Sequence, residues 1–306
     1  MKFEITDTAE FIKQHSCSPV SLGKSGADIY CVDDSMILKY CRRENVESGL
    51  WKSFVNEILC CKWFKEIKLK PDFAAEVLYC RCSEDETVLL MKKYRMLRHE
   101  EAGRFRYKIM NALASIHHMD IPAFLPPAEE VPFYMDNPSK KESVYGWKSV
   151  LTECGIPLEN NEIAGLSDDI NGINLKAGKG RRVFTHGDFH CDNILVDSSG
   201  NIKICDWQNV SDGDPAGDLS FFLSRLEADG INADEEEIVS AYCREYSLIS
   251  GFAPDRNEIL RSMRLSNLNT SFLFWHRYLH GSTGKRVLKV YHKMLDDYHW
   301  LKDQVN

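Results

Sequence analysis

The sequence predicts an α+β protein in two lobes: a small N-terminal one built on a five-stranded antiparallel sheet, and a larger, mainly helical one. Three observations carry this expectation. Short β-prone runs crowd the chain before residue 93, around one long helical segment. From Glu100 onward the pattern is helical, apart from one compact block, Val183 to Asp206, that reads as two short strands. And 306 residues suffice for one large or two coupled domains.

In chain order, Asp7 to His15 predicts a short leading helix, and Val20 to Leu22, Asp28 to Val32 and Met36 to Tyr40 read as strands. Leu22 to Tyr30 holds Gly23, Ser25 and Gly26 between β-prone runs, which suits a tight hairpin whose amides approach phosphates. A long helix is expected near Val46 to Ile67, then strands at Ala75 to Cys82 and Thr87 to Met91. Met91 to Leu97 would be the connection, with Met91 and Tyr94 placed to meet a nucleotide base. The expected lobes are thus residues 1–93 and 94–306.

In the second lobe, Glu100 to Met119 reads as a helix with Ile109, Leu113 and Ile116 on one face. Pro122 to Pro138 breaks regularity, and residues from about 140 to 180 predict an insertion of two helices joined by Gly155-Ile156-Pro157. Helical patterns recur near Asp218 to Ala228, Asp234 to Tyr246, Pro254 to His280 and Lys285 to Lys302.

The chemistry concentrates in VFTHGDFHCDNILVDSSGNIKICD, residues 183–206. Asp188 stands five positions before Asn193, and Asp206 ends the apolar run Ile202 to Cys205. Ser198-Ser199-Gly200 would turn a hairpin that brings Asn193 and Asp206 together. A carboxylate to orient a hydroxyl, with an amide and a second carboxylate to hold Mg2+, is what phosphoryl transfer requires. Asp188 is the expected catalytic base; Asn193 and Asp206 are the expected metal ligands. His186 is expected to brace the loop, and no Cys/His set has zinc-site spacing.

Lys39 lies inside the apolar run Met36 to Tyr40, which is costly unless the lysine is paired. Glu57, in the apolar middle of the long helix, is the expected partner. Lys39 fits a phosphate-binding lysine, with Ser25 and Gly26 in the glycine-containing hairpin beside it.

On SGADIY, MILKY, ALASIHHMD, FTHGDFHCDNILV, ICDWQ and GDPAGDLSFFL, the chain resembles the aminoglycoside phosphotransferase family, antibiotic kinases on the protein-kinase fold. The resemblance implies a small-molecule O-phosphotransferase moving the γ-phosphoryl group of ATP or GTP, with Mg2+, to a cationic antibiotic. It implies base, metal-ligand and lysine roles for Asp188, Asn193, Asp206 and Lys39, a structural role for Asp218 in bracing the catalytic loop, and a packing role for His117. Asp206-Trp207-Gln208 with Asp218 to Phe222 also looks like the viomycin and capreomycin phosphotransferase branch. Gly187, where protein kinases carry arginine, and the lack of an Ala-Pro-Glu segment disfavour a protein substrate. The same scaffold also serves choline and sugar-amine kinases, so a metabolic acceptor is the alternative.

For the acceptor, Glu227 and Asp229 are candidate ammonium ligands, whereas Asp234 to Glu237 are expected to cap a helix. Trp275, His276 and Tyr278 are expected to form a core aromatic cluster. Apolar content of 43% and charged content of 27% are those of a soluble globular protein. No apolar run reaches membrane-spanning length, and the N-terminus lacks a secretory pattern. Eleven scattered cysteines fit a reducing compartment, so the cytoplasm is expected, with a monomer as the default. A net charge of −8 disfavours nucleic acid and favours a cationic acceptor.

Overall fold

The structure, a computed structural model, describes residues 3–20, 26–67, 71–127, 133–157, 162–177 and 181–305. The chain divides into two compact units, Met1–Pro126 with Phe184–Asp212, and Pro127–Val183 with Gly213–Asn306.

In the first unit, α1 (Thr8–Gln14) begins where the Asp7 carboxylate accepts the amides of Ala9 and Glu10. Five strands follow: β1 (Cys17–Pro19), β2 (Asp28–Val32), β3 (Met36–Arg42), β4 (Val77–Cys82) and β5 (Glu86–Lys92). They form one sheet in the order β1-β2-β3-β5-β4, antiparallel throughout, as the sequence predicts. The first strand lies earlier than Val20 to Leu22; Val20 only donates its amide to Ile29, and residues 21–25 fall outside the described set. The expected hairpin glycines are therefore represented by Gly26 alone, at φ +77°.

Strand alternation gives the sheet two apolar faces. Val32, Leu38, Val88 and Leu90 pack with Ile5 and Phe11, which covers one face with α1. Ile37, Leu89 and Met91 pack on the other with Ile58 and Cys61 of α2 (Ser48–Glu66). Lys39, two residues after Ile37, is thereby turned to the α2 face. That placement is the reason a buried lysine can be tolerated.

Beyond β5, the strand β6 (Arg95–Met96) precedes α3 (Ala102–His117), whose Ile109, Leu113 and Ile116 are buried. After β7 (Val183–Thr185), the predicted hairpin appears as β8 (Ile194–Val196) and β9 (Ile202–Ile204). β6 adds to it antiparallel, making a three-stranded sheet. The connection after Met91 is thus partly a strand, which its Lys-Lys-Tyr-Arg sequence does not announce.

The second unit holds α4 (Asn137–Glu153) and α5 (Glu162–Ala177), the two expected insertion helices. α4 stops at Gly155, φ +66°, where the Ile156 amide reaches back to the Leu151 carbonyl. There follow α6 (Pro215–Ala228), α7 (Glu235–Ser250) and α8 (Arg256–Thr270). Asp234 caps α7 through the Glu237 amide, as expected. The single helix expected from Pro254 to His280 is instead α8, a π-helical turn at Ser271–Trp275 and the short α9 (His276–Leu279). The last helix is α10 (Gly284–Val305). Trp147, Leu166, Ile170, Leu268, Phe272 and Met294 form the core of this unit. Trp275 and His276 are buried in line with expectation, but Tyr278 is 73% exposed and so stands outside the expected cluster. Among the described residues, no helix is long and apolar enough to cross a membrane.

Candidate active site

Lys39 opposes Leu89 on one side and Ile29 on the other, so its backbone is fixed in the middle of the sheet. Its ammonium lies 2.9 Å from Glu57 Oε2 and 2.7 Å from Asp206 Oδ1. Glu57, carried by α2, is 2% exposed. Burial by itself would depress the Lys39 pKa, but the two carboxylates outweigh it and hold the ammonium charged well above the usual lysine range. Burial pushes the Glu57 carboxyl up, against the opposing pull of Lys39.

Asp206 follows β9 in a left-handed conformation, φ 65° and ψ 62°. A non-glycine residue there costs about 1 kcal/mol. The next residue holds it: Trp207, 3% exposed, lies 4.8 Å from the Phe64 ring of α2 and stacks on Phe184 at 6.2 Å. The tryptophan therefore ties the helix that carries Glu57 to the turn that carries Asp206.

The catalytic-loop residues are held by one another. His186 is fully buried; its Nδ1 accepts the Asp188 amide, so Nε2 donates to the Cys205 carbonyl at 3.0 Å. This matches its expected bracing role. Gly187 has φ +77°, and a Cβ there would sit 2.0 Å from the Asn209 carbonyl oxygen. No larger residue fits without moving that backbone. Asn193 donates from Nδ2 to the Asp188 carbonyl at 2.8 Å and to Asp188 Oδ2 at 3.2 Å. Its amide oxygen is left as the acceptor a hard cation takes. The pairing of Ile194 with Ile204, and the Cys205 amide on the Asn193 carbonyl at 3.1 Å, put Asn193 and Asp206 at the same end of the β8–β9 hairpin. Two fixed oxygen-bearing side chains at one hairpin end fit Mg2+.

His190 joins this set without having been singled out as a partner of the base. Its Nδ1 accepts the Asp192 amide, and its Nε2 lies 3.5 Å from Asp188 Oδ1 and 3.3 Å from Asn193 Nδ2. Burial pushes the Asp188 carboxyl up, but His190, His186 and the Asn193 amide hold it below the ordinary aspartate range. The signal was its position two residues after Asp188, which sequence reasoning weighed only for zinc.

A model of the phosphotransferase enzyme family matches residues 82–258, more than half of the chain. The chain belongs to that family. It is a phosphotransferase of the kinase type, with an alcohol group as acceptor. No curated protein sequence matches it. Among solved structures, choline kinase LicA from Streptococcus pneumoniae aligns with TM-score 0.58 at 15% identity, over 95% of this chain and 96% of that one. The aminoglycoside phosphotransferase APH(2'')-Ib with ADP bound aligns with TM-score 0.55 at 14% identity, over 95% and 97%. The ethanolamine kinase of Plasmodium vivax gives 0.56 at 11%, over 97% and 86%. At such identities the likeness is one of fold, the protein-kinase-like fold.

Met91 joins Ile37, Leu195, Cys205 and Tyr94 in an apolar cluster on the α2 face of the sheet, the face of Lys39. Ile37, Leu195 and Cys205 were not anticipated; each is an apolar neighbour of a polar candidate and so reads as ordinary core. The Tyr94 hydroxyl accepts the Glu76 amide at 3.3 Å. Ser25 lies outside the described residues. His117 and Asp218 are each 2% exposed. Glu227 and Asp229 lie in the second unit, where they line a cavity together with Lys285, Lys289 and Lys293. Burial raises the Glu227 pKa, while Lys293 and Lys289 pull it down. Their carboxylates are not an unopposed ammonium site.

Proposed function

We propose that this protein transfers the γ-phosphoryl group of ATP or GTP to a hydroxyl of a small antibiotic of the aminoglycoside kind. Residues 1–93 would serve as the nucleotide-binding lobe and residues 94–306 as the catalytic and acceptor-binding lobe. The observation that carries the reading is the bridge from Lys39 to both Glu57 and Asp206, in the same unit as Asn193 tied to Asp188. Lys39 would take the α- and β-phosphates, kept charged and aimed by Glu57. Asp188 orients the acceptor hydroxyl and takes its proton as the oxygen bonds to the γ-phosphorus and the bond to the nucleoside diphosphate breaks. Its depressed pKa keeps it ready as an acceptor of that proton at neutral pH. Asn193 and Asp206 would hold Mg2+, which neutralises charge on the β- and γ-phosphates. Ile37, Met91, Leu195 and Cys205 would cover the base.

The antibiotic acceptor is supported by the catalytic phrase shared with aminoglycoside kinases and by the structural likeness to two of them. The viomycin and capreomycin type is a branch of the same reading. A metabolic kinase of choline or a sugar amine is the second reading, favoured by the choline and ethanolamine kinases of similar fold. The deciding experiment is mass-spectrometric phosphotransfer with Mg2+ and ATP or GTP. Its panel contains aminoglycosides, viomycin, macrolides, choline and sugar amines. A phosphoryl mass gain on an antibiotic supports the first reading. Gain on choline or a sugar amine alone replaces it with the second.

A further inference from the structure

The helical unit contains a cavity of about 320 Å3 between the end of α6, the π-helical turn after α8 and the first half of α10. A volume of this order is that of a small-ligand pocket. We infer that this cavity is a binding site for a small acidic molecule, one carrying a carboxylate or phosphate group, held by Lys285, Arg286 and Lys289. The inference goes beyond the proposed phosphotransfer and does not depend on it.

The first support is the charge at the rim. Lys285, Arg286, Lys289 and Lys293 all line the cavity, facing Glu227 and Asp229. Lys293 is already satisfied, 2.9 Å from the fully buried Asp297 and 3.5 Å from Glu235. Lys289 donates to the Glu227 main-chain carbonyl at 2.8 Å, not to a carboxylate. Among the described residues, Lys285, Arg286 and Lys289 form no ion pair. The cavity thus has a cationic excess, in a chain whose net charge is −8. Glu227 is half-buried between lysines, so the cavity's carboxylates are the minority charge.

The second support is where those cations stand. Lys285, Lys289 and Lys293 recur every four residues, which stacks like charges along one face of α10. Lys285 and Arg286 occupy its first turn, which contains no acidic residue. A helix N-terminus already presents the positive end of its dipole, so basic residues there destabilise the helix. Repulsion of both kinds is relieved by one anion in the cavity.

The third support is a rigid polar floor. Asn267 is 7% exposed; it accepts from the Ser224 hydroxyl at 2.8 Å and donates to Asp297. Ser271, 2% exposed, opens the π-helical turn and faces the same cavity. Such turns inside helices are frequent at functional sites. Floor residues with fixed partners keep the cavity open, while the unpaired cations remain at its rim.

The test is isothermal titration of succinate and of 3-phosphoglycerate into the full chain. The protein would be the Asp188→Ala variant saturated with Mg·ADP, so that the nucleotide side is filled and no turnover occurs. Saturable binding is expected, weakened about tenfold or more by the pair Arg286→Glu and Lys289→Glu, and about tenfold corresponds to 1.4 kcal/mol. Lys289→Arg should retain it. If the double variant fails to fold, as judged by circular dichroism, the single exposed change Lys285→Ala replaces it. Binding of neither acid at millimolar concentration would overturn the inference. So would binding that these substitutions leave unchanged. Binding of choline or kanamycin that Asp229→Ala removes would make the cavity an ammonium site instead. Loss of phosphotransfer in the panel assay has no bearing on these outcomes, so the two proposals fail separately.

Discussion

Asp188 is a half-buried carboxylate kept ionised by neighbours, and its value as a base depends on them. Asp188→Asn keeps the shape and the Asn193 contact but cannot accept a proton. It should lower kcat by roughly 10²–10⁴, the range of a lost general base, while nucleotide affinity measured by titration stays within about twofold. Wild-type turnover in this variant would remove Asp188 from the base role. His190 makes a sharper test. Burial raises the Asp188 pKa and His190 is foremost among the groups that lower it below 3.8. The base should therefore stay ionised down to pH values under the ordinary aspartate range. His190→Gln weakens the hydrogen bond to Asp188, leaving burial less opposed, so the acid limb of kcat/KM should move to higher pH. An unmoved limb would mean that His190 does not set the protonation of the base. Gly187 belongs to the same scale. Its positive φ and the carbonyl of Asn209 explain why the arginine position of protein kinases is filled by glycine here.

Trp207 links two elements that the sequence separates by almost the length of the chain's catalytic half. Its ring meets Phe64 of α2, Phe73, Phe184 and His186, all in one aromatic group. Trp207→Ala should cost about 3–5 kcal/mol by leaving a large cavity, read from the denaturant midpoint. It should also weaken Mg-nucleotide binding, because Glu57 and Asp206 lose their common support; unchanged affinity at reduced stability would show that the cluster only packs. The parts of this site that were legible in the sequence are those whose meaning is local. Asp188, Asn193 and Asp206 stand at fixed spacing around a hairpin, and Lys39 betrays itself as a charge in an apolar strand. Glu57 was legible because its helix has an apolar middle with a single carboxylate in it. Strand β6 was not, since two residues acquire strand geometry only from the neighbour β8. The π-helical turn was hidden for a related reason: Ser271–Trp275 keeps a helical pattern, and the widened turn shows only against α4, where Trp147 bonds the Phe272 carbonyl. The balance of charge around Glu227 required α10 to be brought beside α6, some sixty positions away in the chain.

Across the whole molecule, the residues assigned to the nucleotide and metal fall in one compact unit. Lys39, Glu57, Asp188, Asn193 and Asp206 all lie within Met1–Pro126 or Phe184–Asp212. The second unit has its own polar anchor. Asp297, fully buried, is bound to Lys293 at 2.9 Å and to Asn267, and burial raises its pKa to about 6. A carboxyl with a folded pKa near 6 and an ordinary value of 3.8 holds its proton in the fold while the unfolded chain has released it. That contribution to stability is fully present at low pH and is lost as pH rises from about 4 to about 6. The nucleotide side runs the opposite way, since the lowered pKa of Asp188 contributes stability above 3.8 that is lost as pH falls below it. Ligand binding stabilises the parts it touches by RT ln(1 + [L]/Kd), about 2.7 kcal/mol at a hundredfold excess over Kd. Hydrogen exchange with and without Mg-nucleotide should therefore show added protection in β3, α2 and residues 186–209. It should show little in α7, α8 and α10. Chelation of the metal, or Asp206→Ala, should erase most of that added protection, because Asp206 is both the partner of Lys39 and the carboxylate assigned to the cation. Equal protection in both units, insensitive to chelation, would place the nucleotide elsewhere and dissolve the reading of Lys39, Asn193 and Asp206 as one site.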